Sequence, residues 1–241
     1  MIRGAGLAIL AAGVVLSLTA CSAPGSPGSN PATPNYKAHQ LLLSPDNIVG
    51  SWVSYGKRSD DPIVTVDTPM SSCLAKGSYL EPTAISSSGE LRPSWSTTIS
   101  ATAQARVYPV SSVNYVFNAF TDSATLQCVM NAVMLKDYRH TELGFTATAN
   151  QIPTSLNVAL TPPAGFKLMV AGFNFDGTAH GSPAVLHHLL LLIAKDGYVE
   201  WVELGALAGV GGDKTLPTAD MTKALAELES ASITALSRPG L

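Results

Sequence analysis

Apolar positions recur along this chain with two different periods, and the change from one to the other marks out its elements. In "WSTTISATAQARVYPV", Thr98, Ser100, Thr102 and Gln104 alternate with Ile99, Ala101, Ala103 and Ala105. Period two predicts a strand with one wet face, although alanine is weak in strands. Pro109 stops it. Val113, Val116, Phe117 and Phe120 then fall at i, i+3, i+4 and i+7, the apolar stripe of a helix capped by Ser111 or Ser112. Asp122-Ser123 interrupts that pattern, and "ATLQCVMNAVML" resumes it as a second helix carrying Cys128.

Further along, Phe166, Leu168 and Val170 alternate with Lys167 and Met169, and a turn between Gly177 and Pro183 leads into "AVLHHLLLLIAK". Asp196-Gly197 between two strand-like runs is a strong hairpin signal. A two-residue loop there pairs Ala194 with Val199 and Leu192 with Trp201. Strands near Phe166–Asp176, Ala184–Lys195 and Tyr198–Leu204 therefore form an antiparallel meander. Leu189 to Ile193 is apolar on both faces, which predicts a central strand covered on both sides. "LAGVGGDKTLP" reads as a flexible loop. Thr218 or Asp220 then caps "MTKALAELESASITAL", whose Met221, Leu225, Leu228, Ala231, Ala235 and Leu236 predict a helix lying across the sheet. Nearer the start, Ser44-Pro45-Asp46 is a helix-entry signal for a short helix to about Val49, and Ile63 to Val66 reads as a short strand. The segment from Cys73 to Gly89 is turn-rich without clear periodicity.

The first apolar run has a different purpose. Arg3 is the only charge before Cys21, and Gly4 to Leu18 is apolar or small throughout. A basic end, an apolar centre and a small-residue cleavage site make a secretory signal. The run is shorter than the ~20 residues a membrane-spanning helix needs. Its end, Leu18-Thr19-Ala20-Cys21, resembles the lipobox of bacterial lipoproteins, which implies acylation of Cys21 and cleavage before it. Two acyl chains would hold the protein on the outer face of the cytoplasmic membrane, since each buried CH₂ contributes about 0.8 kcal/mol. "SAPGSPGSNPATPN" then reads as a flexible tether. The expected organisation is residues 1–20 as signal, 21–38 as lipidated linker and 39–241 as one extracytoplasmic domain.

Composition narrows the function classes. The chain carries 14 Lys and Arg against 17 Asp and Glu, and losing Arg3 with the signal moves the net charge from −3 to about −4. No basic block is present, which argues against nucleic acid as a partner. Beyond Cys21, two cysteines remain, Cys73 and Cys128. An even pair in an oxidising compartment suggests a disulfide, worth roughly 4 kcal/mol for a loop of this size. Two free buried thiols are the alternative, and a two-cysteine metal site is the poorest, because no His stands at ligand spacing from either.

The segments "HQLLLSPDNI", "ARVYPVSSVNYVFNAF" and "IAKDGYVEWVEL", with the cysteine pair and the terminal helix, occur in an order that resembles the extracellular sensor domain of mycobacterial PknH-type serine/threonine kinases. The resemblance spans about Gln40 to Ile233. It implies an α+β fold with a curved antiparallel sheet, helices packed on it, a cleft for an unknown ligand and no catalysis. That domain also occurs as free lipoproteins. Its members commonly carry two disulfides; Cys73 and Cys128 match the longer-range one, and this chain lacks cysteines for the other.

Site chemistry is sparse. His187-His188 are adjacent on a strand, so they face opposite sides and cannot share a metal; one should face the core and the other solvent. His180, in the preceding turn, could approach His188, but without a carboxylate or cysteine at ligand spacing. No nucleophile elbow, zinc-binding helix or phosphate loop is present, and Asp60-Asp61 read as a solvated turn. Three functions compete: a sensor-like ligand-binding module with no enzymatic activity, metal or cofactor; a carrier of lipid or another apolar ligand, with Phe166, Phe173, Phe175 and "VLHHLLLLIA" lining its pocket; and an undetected hydrolase. The first fits best, with the bilayer and an unknown envelope ligand as partners.

Overall fold

The computed structural model describes residues 34–55, 82–129, 139–140, 143–148, 154–156, 160–209 and 218–238. These build ten strands: β1 (Trp52–Tyr55), β2 (Ala84–Ser87), β3 (Glu90–Pro93), β4 (Ile99–Val107), β5 (Arg139–His140), β6 (Phe145–Ala147), β7 (Thr154–Leu156), β8 (Lys167–Ala179), β9 (Ser182–Lys195) and β10 (Tyr198–Ala208). All pair antiparallel in one strongly curled sheet of order β1-β3-β4-β10-β9-β8-β6-β5, with β2 also on β4 and β7 also on β8. Four helices accompany it: α1 (Pro34–Leu41), α2 (Val113–Thr121), α3 (Ser123–Val129) and α4 (Thr218–Leu236). The fold is α+β, as the sequence predicts. Ile63 to Val66 lie outside the described residues.

The meander has the predicted register, with Ala194 opposite Val199 and Leu192 opposite Trp201. Its strands are longer than predicted because β8 and β9 continue to a tight turn at His180-Gly181. Pro183 sits within β9 beyond the last pair made with β10, so its missing N–H costs no bond on that side. Leu189 to Ile193 are all buried. Burying a leucine contributes about 1.5–3 kcal/mol, so exposing either face of this run would cost on the order of a whole domain's net stability.

Each face of the sheet has its own cover. On the first, α1 and α4 lie over β4, β9 and β10. Ala101, Ala103, Leu189, Leu191, Ile193, Val202 and Leu204 meet Leu41, Met221, Leu225, Leu228 and Ala235 there. On the second face, Val113, Val116 and Phe117 of α2 pack on Leu190, Leu192, Val199 and Trp201. Phe145, Phe173, Phe175 and Leu186 close that face toward β6 and β8. The wet face expected for β4 is only partly wet: Thr102 is exposed, whereas Ser100 is fully buried.

The start of the fold differs from the expectation. The segment after Ser44 is a single 3-10 turn, Pro45–Asn47, where the Asn47 side chain accepts the Ser44 N–H at 2.8 Å. Upstream, α1 begins at Pro34, inside the stretch whose composition suggested linker. Proline suits the first turn of a helix, where its N–H is not needed. Ala38 and Leu41 of α1 are fully buried, and Arg238 donates to the Gln40 carbonyl at 2.6 Å, tying α1 to the end of α4.

The β9–β10 hairpin turns through Asp196 at φ 50° and Gly197 at φ 90°. A Cβ on Gly197 would stand 2.7 Å from the Tyr108 carbonyl oxygen. Gly197→Ala is therefore expected to cost about 1–3 kcal/mol, read as a lowered denaturation midpoint with unchanged m-value.

Candidate functional site

The second face changes character from one edge to the other. Toward β8 and β9 it is apolar. Toward β3, β4 and β10 it carries Glu90, Arg92, Gln104, Arg106, Trp201 and Glu203. Strand alternation places them together: Leu91 pairs with Ala101, which lies on the helix-covered face, so Glu90 and Arg92 point the other way. Gln104 stands opposite Trp201, Arg106 opposite Val199, and Thr102 opposite Glu203.

Arg106 is the centre of this band. It is only 6 % exposed. Its Nε and Nη2 donate to the Gln104 Oε1 at 3.1 and 2.6 Å. The guanidinium lies over the Trp201 ring, 4.1 Å from its centroid. A desolvated cation on an indole face gains about 2 kcal/mol. Yet burying a charge is costly without a counter-charge, and no carboxylate bonds to Arg106 among the described residues. Glu90 is committed elsewhere, accepting from Arg92 Nε at 3.0 Å, with Arg92 stacked 5.1 Å from the Tyr55 centroid. Glu203 accepts the Trp201 indole N–H at 3.1 Å.

Tyr108 closes one side of the band. Its backbone N–H donates to Gly197 at 2.7 Å, locking the end of β4 to the hairpin turn. Its ring belongs to the buried cluster of Val113, Phe117 and Trp201. Its buried hydroxyl has no hydrogen-bond partner among the described residues. The result is an aromatic site of balanced charge in which a buried guanidinium and a buried hydroxyl have donors to spare, suited to recognising an acceptor group.

The histidines are not part of it. His187 and His188 do face opposite sides, opposite Asn174 and Phe173 respectively. Neither faces solvent, contrary to expectation: they are 5 % and 1 % exposed, because both faces of β9 are covered. His187 Nδ1 shares a hydrogen bond of 2.6 Å with the Asn174 Oδ1. His188 makes an edge contact with Phe175, ring centroids 6.1 Å apart. His180 lies in the β8–β9 turn, its ring against Gly144. No group of three metal-ligating side chains gathers among the described residues. Phe166 packs on the first face while Phe173 and Phe175 belong to the second, so the three do not share a wall. Cys128 is exposed on α3. Cys21, Cys73 and Asp60-Asp61 lie outside the described residues.

Burial pushes the His188 pKa down to about 4. The folded ring stays neutral where the unfolded one, with a pKa near 6.5, takes a proton. Stability is therefore fully present above about pH 6.5 and is lost as pH falls toward 4, by up to about 3 kcal/mol. His188→Leu is expected to flatten that part of the profile, measured by urea denaturation between pH 4 and 7.

The band around Arg106 escapes sequence analysis because nothing in it is a motif. The available signal is the period-two pattern itself, which puts Gln104 and Arg106 on one face of β4 and Trp201 and Glu203 on one face of β10. No helix among the described residues is long and apolar enough to cross a membrane. No protein-family model matches the chain, and no curated protein matches it either.

Proposed function

We propose that this chain is a ligand-binding module of the cell envelope, similar to the sensor domain of PknH-type kinases, with no catalytic step of its own. Acylated Cys21 anchors it to the outer face of the cytoplasmic membrane, and a Cys73–Cys128 disulfide braces the domain. The observation that carries the binding role is Arg106, a buried guanidinium on an indole ring with a neutral amide as its hydrogen-bond partner. Such a group is costly to keep in an apoprotein and useful to a ligand that brings the missing acceptor. The anchor rests on the lipobox-like Leu18 to Cys21, and the chain between Cys21 and α1 can reach at most about 45 Å.

Two measurements test this. Cys21→Ser is expected to move the protein from the membrane fraction to the aqueous phase, because one acyl chain binds only marginally and none binds less. Equal membrane retention of variant and wild type would overturn the anchor. Native mass spectrometry of the detergent-extracted protein should show the acyl mass, the two-hydrogen loss of one disulfide and a non-covalent small molecule released on denaturation. A protein carrying no such molecule when taken from its own envelope would overturn the binding role.

A further inference from the structure

We infer that the second face holds a carboxylate subsite, in which Arg106 and Tyr108 take the acidic group of a small ligand whose apolar body lies beside Trp201. The inference builds on the binding role proposed above and names what is bound. A guanidinium has five N–H donors. Gln104 Oε1 uses one on Nε and one on Nη2, which leaves both hydrogens of Nη1 and the second of Nη2. One hydrogen of Nη1 and the second of Nη2 form the outer fork, the edge that meets a planar carboxylate with two parallel bonds. Tyr108, two residues along the same face of the chain and in the same buried cluster as Trp201, offers a buried hydroxyl with no partner among the described residues. Arg106 and Tyr108 are 6 % and 4 % exposed, so both belong to a built interior rather than a surface charge patch.

The charge of the band selects among anions. Arg92 is paired with Glu90, and Glu203 holds the Trp201 indole. Among the described residues Arg106 is the cation of this band with no carboxylate hydrogen-bonded to it, so one acceptor group completes its hydrogen bonding. The formal charges of Glu90, Arg92, Arg106 and Glu203 already cancel, so each further negative charge is unfavourable. A monoanionic carboxylate supplies that acceptor at the cost of one charge, whereas a phosphate dianion adds two beside Glu203. Trp201, 4 % exposed and already under the guanidinium, and Ile85, opposite Arg106 on β2, make the surroundings of that group apolar.

The test uses nitrogen-labelled full-length protein in detergent micelles. The probes are benzoate, phenyl phosphate and the neutral isostere benzamide, followed at the Arg106 Nε–H and Trp201 indole signals. Benzoate is expected to shift both signals saturably and benzamide to leave them unmoved. Arg106→Met should weaken benzoate about 10- to 100-fold, and Tyr108→Phe about 3- to 10-fold. Gln104→Glu guards against a variant that merely fails to fold. It supplies Arg106 with an internal carboxylate, so it should raise stability and abolish benzoate binding together.

Equal binding of benzamide and benzoate, or unchanged benzoate affinity in Gln104→Glu, would overturn the inference. So would the absence of any saturable shift up to about 10 mM benzoate. Phenyl phosphate binding more than about tenfold tighter than benzoate would overturn the assignment to a carboxylate. If Gln104→Glu still copurifies with the envelope ligand, the subsite is wrong while the binding role stands. If the wild-type protein carries no ligand, the binding role itself has failed.

Discussion

Replacing Glu200 by leucine is expected to make the domain more stable, by about 1–3 kcal/mol at neutral pH, with the gain growing as pH rises. Glu200 is fully buried on the helix-covered face of β10. Ile193 and Ala105 are its neighbours across the sheet, and neither carboxyl oxygen has a hydrogen-bond partner among the described residues. Burial raises its pKa well above the usual carboxylate range, and Arg238 offsets this only in part. The folded state therefore holds a proton that the unfolded chain releases above about pH 4.5. Stability is fullest below that value and is lost as pH rises through the folded pKa. Leucine removes both the orphaned polar atoms and the proton. The slope is opposite in sign to that of His188, so denaturation profiles of Glu200→Leu and His188→Leu should flatten different limbs. A Glu200→Leu variant that is less stable than wild type at pH 8 would show that the carboxyl has a partner worth more than its burial costs.

Trp201→Ala is expected to cost about 3–5 kcal/mol, the largest loss from any single truncation on the second face. Its ring packs with Tyr108, Phe117, Leu190 and Leu192 and supports the Arg106 guanidinium. Truncation opens a cavity and strands a buried charge at once, two penalties that fall on the same site. Trp201→Phe keeps an aromatic face but loses the N–H donated to Glu203, so a cost of about 1–2 kcal/mol is expected. Urea denaturation of both variants provides the comparison. A cost below about 1 kcal/mol for the alanine variant would mean that the ring is not the platform described.

The parts of the fold that were legible in the sequence are those where long apolar periodicity and turn chemistry agree. Asp196-Gly197 sets the β9–β10 register, and the double-sided run from Leu189 to Ile193 can only be central. The stripe from Met221 to Leu236 predicts which side of α4 is buried. The strands β1, β2 and β3 are four residues each, too short for alternation to rise above chance, and "AISS" and "ELRP" owe their strand state to pairing partners. Likewise α1 reads as polar linker because Pro34, Lys37 and His39 obscure the two side chains that bury it, Ala38 and Leu41. The site was the least legible part. A tryptophan inside an apolar strand looks like core, and an arginine ending an alanine-rich strand looks like surface. Only the sheet register brings the two together. Of the histidines, sequence gave the correct opposition of faces but not their burial, since that depends on what covers β9 from both sides.

The three tryptophans of the chain provide the most direct test of the binding role. Trp52, whose indole N–H donates to Glu227 at 2.7 Å, and Trp95, under Lys223, belong to the first face; Trp201 belongs to the second. The indole N–H spectrum of the envelope-derived protein should be compared with that of the same protein unfolded, stripped of small molecules and refolded. If the second face holds the ligand, the Trp201 signal moves on stripping and returns when the released fraction is added back, while those of Trp52 and Trp95 stay fixed. Three unmoved signals, or movement confined to Trp52 and Trp95, would contradict the account.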